Sequence, residues 1–511
     1  MASQTTGNRY LNKHDSPNSI HVADVASTSI VDEAIKPQVD ANHIDTGLDA
    51  YTQALELDPE HLERLAKRVR RKLDFILLPL MVSIFITAYL KKASLNYANA
   101  FSLQEDLGLK GRQYSWTVAI GGLGLMIGSY PASVAVQKLP VGKLISCLLF
   151  SWGLFSMVLA AAKNFGTIFT VRSSWAFPSP ASARPGSYSP ASSGLATNSH
   201  CGCIAVGLGS VTNTAIRSWQ LIFLVVGSIA VVLSMIGFFF LPSGPGDAKF
   251  LTREEKLAAV WRIARNQTGI KHGKVLKYQI YEALRDFRVW CLLVQQFTIG
   301  MANGALTGYF SAFLRGFGWS PIESVRYQLP IGAVQLFATI VAGYLASRSR
   351  NRTIIIILVL AIFAIVAMVG FSTIPADQKM ALTSCTWIVS AYGGAIVLNW
   401  AIVAANFAGH TKRATVNGIN FVAFWIGNFA GPFVFDLKEA PRYPSATIVL
   451  GVMIGVGWVA TAATGLWMWN ANRRRDAKAA AGDHTYDPWQ GNIDGFTDRT
   501  DKENKSFRYR Y

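Results

Sequence analysis

The chain has 511 residues, of which 51% are hydrophobic and only 15% charged, and its mean hydropathy is +0.27. A soluble multidomain protein of this length carries more charge, so composition excludes that class and points to the bilayer. Lys and Arg outnumber Asp and Glu by 48 to 30, leaving +18. In a soluble protein that balance would suggest nucleic acid. Here the basic residues sit between apolar runs, so the expected partner is lipid and not nucleic acid.

The first 60 residues are polar and lack a basic start followed by an apolar core. No cleavable signal peptide is expected, and the first span leads insertion. A membrane helix needs about 20 apolar residues. Ten segments of about that size, none containing Asp or Glu, lie near 75–90, 114–135, 142–163, 219–241, 289–312, 327–347, 353–373, 381–405, 415–435 and 446–468.

Short basic loops translocate poorly, so the Lys and Arg distribution orients the set. Arg64, Lys67, Arg68, Arg70, Arg71 and Lys72 precede the first span. Lys138 and Lys143 precede the third, and ten Lys or Arg fill 243–288. Further clusters stand at Arg348, Arg350 and Arg352, at Lys412 and Arg413, and at Arg473 to Arg475. Every alternate loop is basic, which predicts cytoplasmic termini and leaves the sequons at Asn266, Asn351 and Asn504 on the inner, unglycosylated side.

These readings divide the chain into a tail (1–71), a first helical half (72–242), a basic connector (243–288), a second half (289–470) and a C-terminal tail (471–511). Two helical-bundle halves joined this way are the layout of the major facilitator fold, with substrate bound between them near the midplane. The expected fold is thus an all-α polytopic membrane protein with twelve spans, of which ten are readable. The five cysteines, including the C-x-C of Cys201 and Cys203, indicate neither a disulfide framework nor a metal site. The polar segments hold no P-loop, H-E-x-x-H or G-x-S-x-G, so neither an enzyme nor a cofactor is expected.

Several longer motifs carry a family likeness. They are YANAFSLQEDLGL at 97–109 with Gln113-Tyr114-Ser115-Trp116, and PASVAVQKLPVGK at 131–143. SWQLIFLVVGSIAVV through Leu241-Pro242 is followed by KFLTREEKLAAV. The strongest is NFAGHTKRATVNGINFVAFWIGNFAGPFVF at 406–435, and the tail adds Phe496 to Asn504 with Phe507-Arg508-Tyr509. Together they resemble the fungal, allantoate permease-like branch of the anion:cation symporter family within the major facilitator superfamily. The resemblance implies proton-coupled uptake of a small organic anion, such as a ureido or carboxylic acid, by a plasma-membrane monomer. A transport-inactive relative or nutrient sensor is the alternative from a different class.

An anion crossing hydrocarbon needs fixed donors, because an isolated buried charge is very costly. The resemblance places Lys92 at the substrate-facing cation, with Lys91 replacing an acid; residue by residue, both can equally snorkel to the interface. Asn399, Asn420 and Asn428 are intramembrane amides, which turn toward the bundle interior. Asn420 and Asn428 are eight residues apart and share a face, with Trp425 within about a turn of Asn428. Gln295 and Asn303 form a polar stripe on 289–312, and Gln335 follows the helix-breaking Pro330 and Gly332. These side chains are read either as substrate-facing or as packing between helices. Gln137, Lys138, Gly142 and Lys143, and likewise His410, Lys412 and Arg413, match gating loops by resemblance alone. His410 to Arg413 also read as a short basic loop that orients a span.

One stretch departs from the pattern. Residues 173–194 contain eight Ser, four Pro and two Gly, and such a segment cannot cross a bilayer as a helix. It lies where the fourth and fifth spans belong, after Phe165 to Arg172, where relatives continue Arg-Phe-x-Leu-Gly. Codons TTC TTC CTG GGC, read one base late, give Ser-Ser-Trp-Ala, which is residues 173–176. We read 173–203 as a gene-model or frameshift error replacing two spans, the other reading being an extracellular, O-glycosylated or flexible loop. Sequencing cDNA across codons 165 to 215 is expected to restore Arg-Phe-x-Leu-Gly and two apolar spans. A transcript encoding SSWAFP in frame would leave a ten-span product.

Overall fold

Every backbone amide in hydrocarbon must be paired within its own segment or against protein, so the apolar runs fold as helices. The structure, a computed structural model, describes residues 58–175, 216–242, 251–265, 276–348, 351–440, 443–481 and 499–511. In chain order its longer helices are α1 (Pro59–Ala100), α2 (Gln113–Lys138), α3 (Val141–Leu159), α4 (Phe165–Trp175) and α5 (Ser218–Phe240). The connector supplies α6 (Arg253–Arg265) and α7 (Lys277–Leu284). Then come α8 (Phe287–Gly316), α9 (Leu329–Arg348), α10 (Thr353–Thr373), α11 (Lys379–Ser390), α12 (Gly393–Asn406), α13 (His410–Ala430) and α14 (Pro444–Ala480). Among the described residues there is no strand.

Each of the ten predicted spans falls on helix. The segment 381–405 is divided between α11 and α12, which meet at Ala391 and Tyr392. Among the described residues, seven helical stretches are long and apolar enough to cross a membrane by length and composition. The helix α13 misses this mark because it carries His410, Lys412, Arg413 and the amides Asn417, Asn420 and Asn428. The helix α4 continues past Arg172 into the stretch expected to be non-helical, with the Ser173 hydroxyl donating to the Phe169 carbonyl at 2.8 Å. The rest of that stretch, 176–203, lies outside the described residues.

Helix ends follow local chemistry. Asp58 caps α1 with Pro59 at its first position, and Asp286 caps α8 by accepting from Arg288 N at 3.1 Å. Pro79 interrupts the ladder of α1, and the Ser83 hydroxyl bonds the Pro79 carbonyl there.

Two groups of helices result, α1 to α5 and α8 to α14, touching where α1 meets α8 and α2 meets α13. The connector helix α6 packs on α1, joined by Lys72 to Glu255 at 2.5 Å, while α7 packs on α13. Large apolar side chains point outward on both groups, among them Phe239 (68% exposed), Phe337 (71%) and Leu466 (65%), as a lipid-facing surface requires.

The second group is built on a close seam between α8 and α13. A Cβ on Gly300 would run into the Phe424 carbonyl, and one on Gly304 into the Asn428 backbone. Gly427 and Gly431 return the contact against Phe297 and Met301. Small residues let two backbones approach in lipid, where dispersion between helices replaces hydrophobic driving force. The seam sets a parallel register in which Gly300 is level with Phe424 and, one turn below, Gln296 is level with Asn420.

Gly300→Ala is expected to destabilise the purified protein by about 1–3 kcal/mol through overpacking, read as a lower thermal unfolding midpoint. Gly455→Ala, whose Cβ would meet nothing within 4 Å, is expected to be neutral or slightly stabilising.

Candidate translocation site

A cavity of about 80 Å³ lies where the two groups meet, lined by Asn96 and Tyr97 of α1, Asn303 and Thr307 of α8, Gln328 and Gln335 at α9, and Ser390 and Tyr392. It has room for a few waters and is smaller than the ~300 Å³ of a typical ligand pocket. The cavity is closed at the end away from the connector helices. There Asn96 Nδ2 donates to Gln328 Oε1 at 2.6 Å, Gln328 Nε2 donates to Ser311 Oγ at 3.0 Å, and Ser311 N donates to Asn96 Oδ1 at 2.9 Å. Tyr114 Oη donates to the Gly308 carbonyl at 2.8 Å, and Ser115 Oγ lies 2.7 Å from Tyr309 Oη. Tyr309 stacks on Phe435 with centroids 4.0 Å apart. Just outside the seal, Asp106 of the YANAFSLQEDLGL motif accepts from Trp219 Nε1 at 2.8 Å and pairs with Arg217, which ties that loop to α5.

The side chains expected to face substrate fall in three places. Asn303 lines the cavity. Asn428 sits at the junction of the groups, its Nδ2 donating to the Phe424 carbonyl at 2.9 Å and its Oδ1 lacking a partner among the described residues. Trp425 stands beside it, edge-on to Phe424 at 5.4 Å. Gln295, Asn399 and Asn420 are inside the second group, with Asn399 and Asn420 0% exposed. They form a layer with Gln296, one turn beyond the apolar contact of Leu292, Val403 and Val416. Both amide atoms of Gln296, Asn399 and Asn420 lack a partner among the described residues. Each such group costs about 1–3 kcal/mol, so this layer is an unusually polar interior for a bundle. The side chains of Lys91, Lys92, Gln137 and Lys138 lie outside the described residues. In the other gating matches, Gly142 packs against Leu241 and Pro242, Lys143 is exposed, and His410 and Arg413 are exposed.

Two features were not anticipated from the sequence. Arg172 of α4 is 6% exposed, and its guanidinium lies 3.1 Å from where a Cβ on Gly121 would stand. The next residue, Gly122, packs on Asn428 and Phe429 of α13. Adjacent residues of α2 therefore carry a buried cation of the first group and the Asn428 amide of the second.

The other feature is an ion cluster at the connector end. Lys412, expected in a basic loop, is 0% exposed in the first turn of α13. Its Nζ reaches Glu282 and Asp501 at 2.7 Å each. Arg288 is also 0% exposed, with one terminal nitrogen 2.6 Å from Asp286 and 2.5 Å from Asp501. Its guanidinium lies over the rings of Phe407 at 4.8 Å, Trp467 at 4.5 Å and Tyr509 at 4.5 Å. Burial works against the charge on Asp286, but the Arg288 hydrogen bonds and charge, with Lys502 and Lys412, more than offset it and bring the carboxyl down to about 2. Asp501 is likewise held below the ordinary range, burial being outweighed by Arg288 and Lys412.

Known proteins place this geometry. Residues 80–432 match the family model of the Major Facilitator Superfamily. The chain belongs to this superfamily. It is 29% identical to the allantoate permease of Saccharomyces cerevisiae, covering 94% of this chain and 90% of that protein. It is 28% identical to the thiamine pathway transporter of the same yeast, covering 88% and 87%. Among solved structures it resembles a bacterial homolog of the human lysosomal transporter Spinster, with TM-score 0.53 and 16% identity over 77% of this chain and 96% of that one. A nucleoside transporter gives TM-score 0.55 at 11% identity over 76% of this chain and 98% of that one. The major facilitator fold is thus shared, and the chain is a multi-pass membrane protein of a transporter family.

Breaking a buried pair by removing one partner costs about 3–5 kcal/mol. Arg288→Met is expected to lower the unfolding midpoint of detergent-purified protein accordingly, and adding Asp501→Leu to recover part of the loss. Because the folded carboxyl of Asp286 is depressed, its contribution is present above the unfolded value of ~4. It is lost as pH falls toward about 2. An unfolding midpoint measured against pH is expected to show no change from this carboxyl between 7 and 5, and to fall below ~4 as its contribution is lost.

Proposed function

We propose that the chain is a secondary active transporter that carries a small organic anion by alternating access, with the two helical halves, 72–242 and 289–470, as the moving bodies. The observation that carries this reading is Arg172. An ionisable side chain buried within membrane helices is expensive and is kept where it binds or moves something. Arg172 packs at Gly121 of α2 and Asn428 at the next residue, Gly122, so an anion moving along α2 between the halves would meet a guanidinium and an amide in turn. The yeast relative named for allantoate supports a ureido or other carboxylic acid as cargo. In this reading the connector end is cytoplasmic, following the basic loops, the protein resides in the plasma membrane as a monomer, and a proton accompanies the anion.

A second reading has its own support. None of the ten span segments contains Asp or Glu, so a proton has no intramembrane carboxylate to ride on, and a transport-inactive relative or nutrient sensor fits that lack. Uptake of labelled allantoate and of labelled succinate into yeast lacking its own permease separates the two. The transporter reading expects saturable uptake of at least one anion, inhibited by a protonophore. It also expects Arg172→Gln to lower kcat/KM by about 10- to 100-fold, the loss of one charge-assisted pair. No uptake of either anion by correctly targeted protein would favour the inert reading.

A further inference from the structure

We propose that the connector end of the second group is a peptide-binding site, that its resident ligand is the chain's own segment 499–511, and that this segment docks reversibly as a latch across α8, α12, α13 and α14. The segment is held in the way a recognition site holds an extended peptide. Asn406, at the end of α12, donates Nδ2 to the Arg510 carbonyl at 2.8 Å and accepts from Arg510 N at 2.7 Å. Asn472 of α14 does the same with the next residue back, donating to the Tyr509 carbonyl at 2.8 Å and accepting from Tyr509 N at 3.0 Å. A carboxamide presents the same donor and acceptor as a peptide unit, so each Asn reads main chain and asks nothing of the side chain. The Tyr511 carbonyl then accepts from Thr353 N at the start of α10, at 3.1 Å.

Specificity comes from two pockets. The Asp501 carboxylate sits between Arg288 and Lys412, which are on α8 and α13. The Tyr509 ring covers the Arg288 guanidinium, and its hydroxyl donates to Asp501 Oδ2 at 2.9 Å. Arg475 of α14 closes the groove by donating to the carbonyls of Phe507 and Asp501. The matching ligand is a peptide with an acid followed, eight residues later, by an aromatic phenol.

Charge balance is what makes departure feasible. Without the segment, Arg288 and Lys412 still face Asp286 and Glu282, two cations against two carboxylates. The segment brings Asp501 with Lys502, whose Nζ lies 3.4 Å from Asp286, and so adds no net charge to the cluster. Docking and release each leave the site neutral, unlike removal of a single buried partner. The segment's bonds to Arg288, Thr353, Asn406, Lys412, Asn472 and Arg475 fall within the second group, so docking braces that group.

The test uses the full-length protein with a protease site placed between 482 and 498, purified folded and then cut. A fluorescein-labelled synthetic peptide of sequence RTDKENKSFRYRY is added before and after cutting. Exchange only after cutting is expected, because the attached segment occupies the site before it. Peptides carrying Asp501→Asn or Tyr509→Ala are expected to bind at least ~10-fold more weakly, the loss of one charge-assisted contact. Cut protein that keeps its own segment against excess labelled peptide would overturn reversibility. Monodisperse protein that releases the segment yet binds the native peptide no better than a scrambled one of the same composition would overturn the site. Both readouts are independent of transport, so they stand apart from the assignment of cargo.

Discussion

Arg288 can be buried only because protein supplies everything that water would have. A guanidinium has five donors and a full charge, and desolvating it without partners would cost more than a whole domain's stability. Asp286, two residues away, provides a local carboxylate and caps the same helix. The rest comes from far along the chain, Phe407 after α12, Trp467 on α14, and Asp501 and Tyr509 from the tail. A buried ion pair is weak evidence for net stability, but it specifies arrangement strictly, since a sliding helix would strand a charge. The heights of α8, α12, α13 and α14 at this end are thereby set against one another.

From that fixed level, helical periodicity assigns what comes next. One turn above Arg288 and Lys412 the three facing helices present Leu292, Val403 and Val416, which pack as one apolar contact. A further turn presents Gln296, Asn399 and Asn420 at the same level, all wholly buried. The glycine seam of Gly300 and Gly304 begins just beyond, drawing α8 against α13 where the groups meet. The polar layer is thus enclosed by an apolar contact on one side and a backbone-tight seam on the other. Neither leaves room for side chains to swing out to the cavity, which is why Asn303 lines it and Asn399 does not.

Much of the fold is legible in the sequence because lipid imposes a simple length rule. Ten runs of apolar residues become helices, even where Tyr392 divides one of them. The amides in those runs are legible as buried, but their facing is not, because several residues per turn compete for one interior and only packing decides. Lys412 looks like a loop residue since its sequence neighbours, His410 and Arg413, are exposed; its partners Glu282 and Asp501 lie 130 and 89 residues away. Arg288 ends a run of connector charges and in sequence reports only topology. Arg172 stands at the edge of the anomalous stretch, where no motif marks it as buried, whereas the cation that a family motif marks, Lys92, has its side chain outside the described residues. No local pattern announces a pair formed across 213 residues, as Arg288 and Asp501 form.

The division of labour between ionic and neutral bonds bears on motion. Among the described residues the strong ion pairs do not cross from one group to the other: Lys72 with Glu255 ties the first to the connector helix α6, and the Arg288 and Lys412 cluster lies at the connector end of the second. The bonds that join the groups, at the end away from the connector, are mostly neutral: Asn96 with Gln328 and Ser311, Tyr114 with Gly308, and Ser115 with Tyr309. The ion pair seen there, Arg315 with Glu105, is long at 3.8 Å and partly exposed, a geometry worth little. Neutral hydrogen bonds contribute about 0.5–1.5 kcal/mol each, a total that a bound ligand can offset, and their groups can be taken over by water as they part. Ion pairs buried at the same junction would have held the halves shut against any ordinary binding energy. The chemistry therefore makes the contact between the halves easier to break than the contacts within the second, which is what the proposed alternating access requires.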